Sequence, residues 1–330
     1  MTDKQPSCVR YGIIGTGMIA RVHAEALRAS SNSELVAVHD VVPERAAAFG
    51  RDFGVAWESD LAAFLARRDI DAVTLATPSG LRADVALPAA AAGKHLLCEK
   101  PLEVTLERVD SIIEAARRAG VRLGCVFQAR TVGSVRRVHD AIEAGRLGKL
   151  VMANVQVPWY RNQEYYDASP WRGTWKLDGG GALMNQSIHI VDLLLHFMGE
   201  PASVMAYTDV LAHQNIEVED TAAAVVRFRN GALATILVTT GAAPGFPRRM
   251  EICGTGGSVV LVDERVERWV LTADEPNDMA DAAALSELHG DLGGAGDPAA
   301  ISIEGHREQI ENLSRAILTG TEPMVSGHEA

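Results

Sequence analysis

Val9-Arg10-Tyr11-Gly12-Ile13-Ile14-Gly15-Thr16-Gly17-Met18-Ile19-Ala20 is the stretch on which the fold turns. A short apolar strand, VRYGII, runs straight into GxGxxA and from there into a helix. Gly15 permits the tight turn, Gly17 lets a pyrophosphate approach the backbone, and the small Ala20 lets helix and strand pack closely. Thr16, Met18 and Ile19 complete a turn whose helix N-terminus would face the phosphates. Alone the motif is weak, but an acidic residue, Asp40, closes the second apolar run, where a dinucleotide ribose needs it. Asp40 would accept hydrogen bonds from the ribose hydroxyls and repel a 2'-phosphate, which favours NAD over NADP. Arg45, five residues on, would offset part of that repulsion.

Outward from this motif the first 128 residues keep a βαβ rhythm. Apolar runs at 9–14, 35–40, 71–77 and 94–100 alternate with Ala-rich segments at 19–29, 44–53, 81–92 and 106–119 whose apolar residues recur at helical spacing. A run at 121–127 supplies a further strand. The pattern predicts a doubly wound parallel sheet over residues 1–128 as an NAD(P)-binding Rossmann domain. Thr77-Pro78-Ser79 ends the run at 71–77 at the carboxyl edge, where such sheets bind ligands.

The rhythm changes over 129–330, predicted to form a second α/β domain. A helix at 131–144 precedes apolar runs near 149–157, 202–211, 220–229, 231–239, 248–253 and 257–263. Asn230-Gly231 is a strong hairpin signal, and the domain reads as an open, mainly antiparallel sheet. Residues 271–300 hold seven Asp or Glu and no Lys or Arg, which reads as a mobile acidic loop.

Composition narrows the partners. There are 31 Lys and Arg against 43 Asp and Glu, a net charge of -12, which repels phosphate backbones and anionic lipid surfaces. No apolar run has the length of a membrane span or signal peptide, so the chain reads as cytoplasmic, without nucleic-acid or membrane partners. Cys8, Cys98, Cys125 and Cys253 lie far apart with no CxxC pair, and read as reduced, buried thiols rather than a disulfide or zinc framework.

Two further segments carry chemistry, Cys98-Glu99-Lys100-Pro101 and Gly179-Gly180-Gly181-Ala182-Leu183-Met184-Asn185-Gln186-Ser187-Ile188-His189. On residue type alone Lys100 reads equally as a surface lysine, and His189 as a satisfied histidine on an apolar helix. His189, Asp192 and His196 share a helical face, but no further ligand accompanies them, so no metal is expected. Taken with GxGxxA, these segments make the chain resemble the Gfo/Idh/MocA family of NAD(P)-dependent oxidoreductases. TPSGLRADVALPAAAAGKHLLCEKPL, WRGTWKLDGGGALMNQSIHIVDLL, VEDTAAAVVRFRNGALATI, EICGTGGSVVL and HREQIENLSRAI look like further family blocks.

The resemblance implies a Rossmann domain, a C-terminal domain whose open sheet makes dimer or tetramer contacts, and a site in the cleft between them. It places Lys100 near the nicotinamide and the reacting hydroxyl, Pro101 after a cis peptide, and His189 as general acid/base. Glu99 and Gln128 count among the cofactor contacts, as do Trp171 and Arg172, which resemble a family Trp-Arg pair near the nicotinamide. Three departures stand out. Asn185 replaces an Asp four residues before the histidine, so no carboxylate is expected to assist the imidazole. Arg82 replaces a frequent His, with an effect limited to local cofactor contacts. Relatives continue past VSGHEA through a helix that packs on the Rossmann domain, so that helix is expected to be cut off or absent here.

The chain holds five Trp, five Tyr and seven Phe, and six of them cluster as Trp159, Tyr160, Tyr165, Tyr166, Trp171 and Trp175. Sugar rings stack on aromatics and their hydroxyls suit Arg and Asn, so Tyr160, Arg161, Trp171, Arg172 and Asn185 join His189 as candidate substrate contacts, Trp171 and Tyr160 being the most exposed. A core or oligomer interface would use the same residue types. His306 finds no charge partner in the sequence and reads as structural. The leading reading is an NAD-dependent oxidoreductase acting on a secondary alcohol of a sugar, sugar acid, nucleotide sugar or cyclitol. Its rivals are a redox-neutral, NAD-dependent glycosidase and a non-catalytic dinucleotide sensor.

Overall fold

The computed structural model describes residues 8–272 and 302–330; most of the expected acidic loop lies outside them. Two units emerge, one of Met1–Val126 with His306–Ala330, the other of Phe127–Gly305.

In the first unit the strands are β1 (Val9–Ile14), β2 (Ser33–His39), β3 (Ala56–Glu58), β4 (Ala72–Leu75), β5 (His95–Cys98) and β6 (Leu123–Cys125). They form one parallel sheet of order β3-β2-β1-β4-β5-β6. The chain reverses direction across the sheet at β1/β4, the switch point where such folds bind dinucleotides. β4 is buried at every residue, because helices cover both faces: α1 (Met18–Ala29), α2 (Pro43–Phe53), α3 (Leu61–Leu65), α4 (Arg82–Ala91) and α5 (Leu106–Ala119). α2 and α5 stop at Gly54 and Gly120 in the left-handed conformation, the ordinary glycine C-terminus.

The assignment of residues 306–330 to the second domain needs correction. Ile303–Thr319 forms a helix whose Ile310, Leu313 and Ala316 are buried, and from His306 onward the chain belongs to the first unit rather than the second. The Tyr11 hydroxyl meets Ser314 Oγ at 2.9 Å, and Glu311 accepts from Ser31. Beyond the helix, Ser326 bridges Gly124, and the Gly327 N–H donates to the Leu123 carbonyl, covering the β6 edge. A helix thus packs on the Rossmann unit, supplied by the segment assigned from sequence to the second domain.

The second unit has α6 (Gly133–Glu143), α7 (Gln163–Asp167) and α8 (Ile188–Met198) beside a seven-stranded sheet. Its strands are β7 (Leu150–Pro158), β8 (Pro201–Asp209), β9 (Thr221–Phe228), β10 (Leu233–Thr239), β11 (Arg249–Gly254), β12 (Gly257–Val262) and β13 (Arg265–Leu271), in the order β13-β12-β11-β7-β10-β9-β8. Only β7 and β10 run parallel. β9 and β10 join at Asn230-Gly231, as the turn signal predicts, with Gly231 at φ +91°. They alternate buried and exposed residues. One face packs Val155, Val226 and Ile236 with Leu193, Leu194 and Phe197 of α8, while the other is open. Among the described residues no helix is long and apolar enough to cross a membrane. All four cysteines are free; Cys98 and Cys125 are buried, but Cys8 and Cys253 are partly exposed, contrary to the uniform burial expected.

Candidate active site

Gly15 leaves β1 at φ +91°, and a Cβ there would lie 2.9 Å from the Ala76 carbonyl oxygen, so both conformation and space demand glycine. Gly17 differs. It starts α1 at φ -72° without any side-chain cap, and a Cβ would meet nothing within 4 Å. Its bare Cα therefore borders open space beside a helix N-terminus with orphan N–H groups. Met18 is exposed and Ile19 half-buried behind it. Across the turn, Thr77 carries a buried hydroxyl with no hydrogen-bond partner, followed by half-buried Pro78 and buried Ser79. An open glycine, an uncapped helix and an unsatisfied hydroxyl at one sheet edge fit the pyrophosphate and ribose of a dinucleotide.

Asp40 braces this turn. Its Oδ2 accepts from the Thr16 N–H (3.0 Å) and Thr16 Oγ1 (2.7 Å), and its Oδ1 from the Val42 N–H (2.9 Å). Burial pushes its carboxyl pKa up, but these donors outweigh that and hold it below the usual range. Arg45 is exposed and contributes a weaker attraction.

Glu99, counted from sequence among the cofactor contacts, turns inward instead. Its Oε1 meets His23 Nε2 at 2.9 Å and His306 Nε2 at 3.1 Å, while Oε2 accepts the Lys100 N–H at 3.1 Å. His23 Nδ1 in turn meets Thr74 Oγ1 at 2.9 Å. Burial favours the neutral acid, yet the two imidazoles outweigh it and hold Glu99 well below its ordinary value. His306 therefore has the charge partner that the sequence hid. Arg82 is only 4% exposed, and its Nε and Nη1 are buried without a hydrogen-bond partner. Burial lowers its pKa and Glu99 opposes that, so its influence reaches deeper than local cofactor contacts. The ligand atoms of His23, Glu99 and His306 lie within 4.8 Å of one another. The two close approaches are hydrogen-bond separations, and the adjacent guanidinium disfavours a second cation. Lys100 is half-buried and precedes a cis peptide to the buried Pro101.

In the second unit, Gln128 opens a short helical turn with its Oε1 buried and unpartnered. Ahead of α8, Ala182–Gln186 forms a π-helical turn in which the Asn185 and Gln186 N–H groups both reach the Gly181 carbonyl, at 2.9 and 3.2 Å. Such turns cluster at functional sites. Glu219 clamps this one: its carboxylate accepts the Gly181 (3.0 Å) and Leu183 (2.9 Å) N–H groups, and its carbonyl accepts Ala182. A Cβ on Gly181 would lie 1.8 Å from that carbonyl oxygen, which makes the glycine obligatory. The sequence reading missed Glu219; its only signal was the VED preceding β9.

His189 follows as the second residue of α8, 8% exposed, its ring edge-on to Phe127 at 5.8 Å. Asn185 Nδ2 donates to Asp178 Oδ1, and Asp178 Oδ2 accepts the Gly173 N–H at 2.9 Å. A carboxylate is therefore present one hydrogen bond beyond Asn185. Asp192 is held bidentately by Arg130, at 2.9 and 2.6 Å. His196 stacks on His139 at 4.0 Å, its pKa pushed down to about 3 by burial and then by Arg130 and His139.

The aromatic segment divides. Trp159 and Tyr166 are buried, Tyr165 and Trp171 half-buried, while Tyr160 (37%) and Trp175 (56%) are exposed; Trp175 rather than Trp171 accompanies Tyr160 at the surface. Arg161 is buried against Trp159 (5.2 Å) and Tyr165 (5.6 Å), its Nε donating to Gln186 at 3.0 Å. Arg172 lies over Tyr165 at 4.1 Å, with a buried, unpartnered Nε. His213 meets the Arg161 carbonyl at 2.7 Å and Asp220 at 3.0 Å, tying this loop to the start of β9. Burial pushes the Tyr166 hydroxyl up to about 12 while it meets Thr240.

Comparison with known proteins agrees with this arrangement. Residues 9–127 match the oxidoreductase family model with an NAD-binding Rossmann fold, and residues 135–260 match the GFO/IDH/MocA C-terminal domain. The 1,5-anhydro-D-fructose reductase of Ensifer adhaerens is 30% identical over 90% of this chain and 92% of its own length. The myo-inositol 2-dehydrogenase of Thermotoga maritima is 28% identical over 97% of this chain and 92% of its own. Among solved structures, the WlbA dehydrogenase of Bordetella pertussis, in complex with NADH and UDP-GlcNAcA, superposes with a TM-score of 0.86 at 36% identity, covering 98% of this chain and 92% of that one. The chain belongs to the Gfo/Idh/MocA family of oxidoreductases, with an NAD-binding Rossmann domain at its N-terminus.

Proposed function

We propose that this enzyme oxidises a secondary alcohol on the sugar ring of a nucleotide-linked sugar, of the UDP-N-acetylglucosaminuronic acid type, with NAD as acceptor. The observation that carries the reading is the likeness to WlbA over nearly the whole chain, higher in identity than that to the free-sugar and cyclitol relatives. Within the second unit, exposed Tyr160 and Trp175 offer faces for a sugar or base, and Arg161 and Arg172 are set on aromatic rings among them.

Gly15, Thr16, Gly17 and Thr77 hold the dinucleotide, Asp40 its ribose. The bound cofactor supplies a hydride acceptor at nicotinamide C4. His189 takes the alcohol proton as general base, and Lys100 stabilises the negative charge developing on that oxygen. Glu219 keeps the turn before His189 in shape, and Asp178 holds the Asn185 amide. The test is to incubate the protein with NAD and UDP-GlcNAcA beside free sugars and cyclitols, following reduced nicotinamide by absorbance. Turnover with the UDP-sugar at the highest kcat/KM supports the reading; a free sugar or inositol as the better substrate refutes the substrate class.

We also infer a homo-oligomer formed through the open sheet face, in a cytoplasmic setting that the free thiols suit. Cross-strand pairing sets Met152 beside Leu233, Val225 beside Met205, and Ala223 between Leu237 and Tyr207 on that face. Met205 is 80% and Tyr207 88% exposed, an apolar patch of the kind a second copy covers. Val225→Glu should yield monomers by light scattering; an unchanged mass, or a monomeric wild-type chain, contradicts the inference.

A further inference from the structure

We propose that His23 and His306 are positioning residues for Lys100: by holding Glu99 as a doubly engaged acceptor they fix the backbone N–H of the lysine. The inference rests on the reading that Lys100 acts in the reaction. A buried carboxylate between two imidazoles is a poor way to gain stability, since well-packed apolar side chains of similar volume do as well or better. What the arrangement adds is direction. One Glu99 oxygen is engaged by rings from α1 and from the C-terminal helix, which leaves the other for the N–H of the next residue, Lys100. Every contact on the Glu99 carboxylate is thereby defined from a different element, and the segment after β5 has little freedom to turn.

The surrounding charges support the same end. Arg82 on α4 lies close enough to oppose the Glu99 charge, and Cys98, Cys125 and Glu103 are the other titratable groups around that guanidinium. Burial pushes the Cys98 thiol up to about 12 and the Cys125 thiol well up, so both are neutral, and the Cys125 Sγ sits 3.8 Å from the Glu99 carbonyl oxygen. The Thr74 hydroxyl can donate to His23 Nδ1, which leaves the proton of a neutral imidazole on Nε2, facing Glu99. A helix reached only after the whole second unit thus touches the residue beside Lys100, which gives the return of the chain to the first unit a role in the reaction.

Amide hydrogen exchange on the full-length protein reads the contact without any substrate. His306→Leu should speed exchange of the Lys100 amide at least about tenfold relative to β1 and β4 amides, and His306→Gln, which keeps an N–H donor, should restore most of the protection. Unchanged exchange at Lys100 overturns the proposal. So does faster exchange spread evenly over β1 and β4, the mark of a general packing residue. In turnover with NAD and UDP-GlcNAcA, His306→Leu should lower kcat about tenfold with KM within twofold, and the Lys100→Met/His306→Leu double variant should be no slower than Lys100→Met. Additive losses overturn it. Should Lys100→Met prove fully active, the reading of Lys100 fails, while the exchange arm still decides the contact.

Discussion

Replacing Asp40 by Asn removes one charge, keeps the shape and separates the two tasks the carboxylate performs. Of its roughly four lone-pair positions, three are taken by the Thr16 N–H, Thr16 Oγ1 and Val42 N–H. One remains for a ribose hydroxyl. With an effective dielectric near 20, a unit charge about 6 Å from a 2'-phosphate oxyanion costs on the order of 3 kcal/mol, less what exposed Arg45 returns. The wild type should therefore bind NAD at least about tenfold more tightly than NADP. In Asp40→Asn the repulsion disappears, and the ratio should fall to within about threefold. NAD binding itself should weaken by about 1.5–3 kcal/mol, the worth of a charged hydrogen bond. The amide cannot accept from Thr16 and Val42 with both of its ends, so Tm should drop as well. Calorimetric titration of both cofactors into both proteins decides the matter. An unchanged NAD/NADP ratio would show that Asp40 only braces the turn.

Tyr160→Ala should raise KM for the nucleotide sugar several-fold while NAD affinity holds; normal kinetics with a smaller oligomer would make the residue an interface contact. Arg130→Met leaves Asp192 buried without its bidentate partner and should cost about 3–5 kcal/mol, read as a lower midpoint in denaturant. Acid should weaken the fold through Asp220. Burial raises its pKa, but the Leu211 and Ala212 N–H groups, His213 and Thr221 outweigh it and set it below the unfolded value. The stabilisation is therefore complete above the unfolded carboxylate range and lost as pH falls through the lower, folded value. Asp220→Asn should flatten that acid limb of Tm against pH, and an identical profile would contradict the assignment.

What the sequence showed and what it hid follow from the range of the contacts. The GxGxxA turn is legible because its constraints are local: Gly15 is forced by the next strand and by its own backbone angle. Asp40 was read as a ribose contact, yet its bonds to Thr16 were not foreseen, since they run between loops 24 residues apart. β3 escaped because Ala56–Glu58 is three residues long and largely exposed, and β13 because Arg265, Glu267 and Arg268 mask its alternation. Glu219 caps a turn 38 residues upstream, and Glu99 meets His306 across 207 residues. Neither pairing leaves a periodic trace. The return of residues 306–330 to the first unit was missed for the same reason: a helical pattern shows that a face is buried, never against what.

The central claim, that His189 and Lys100 carry out an NAD-dependent alcohol oxidation, is tested most directly by single variants assayed for turnover and cofactor binding together. His189→Ala and Lys100→Met should each bind NAD as the wild type does and lose about 10²–10⁴ in kcat with UDP-GlcNAcA, the usual loss when positioned acid–base catalysis is removed. Wild-type turnover in His189→Ala, with the same pH profile, would place the base elsewhere and contradict the account.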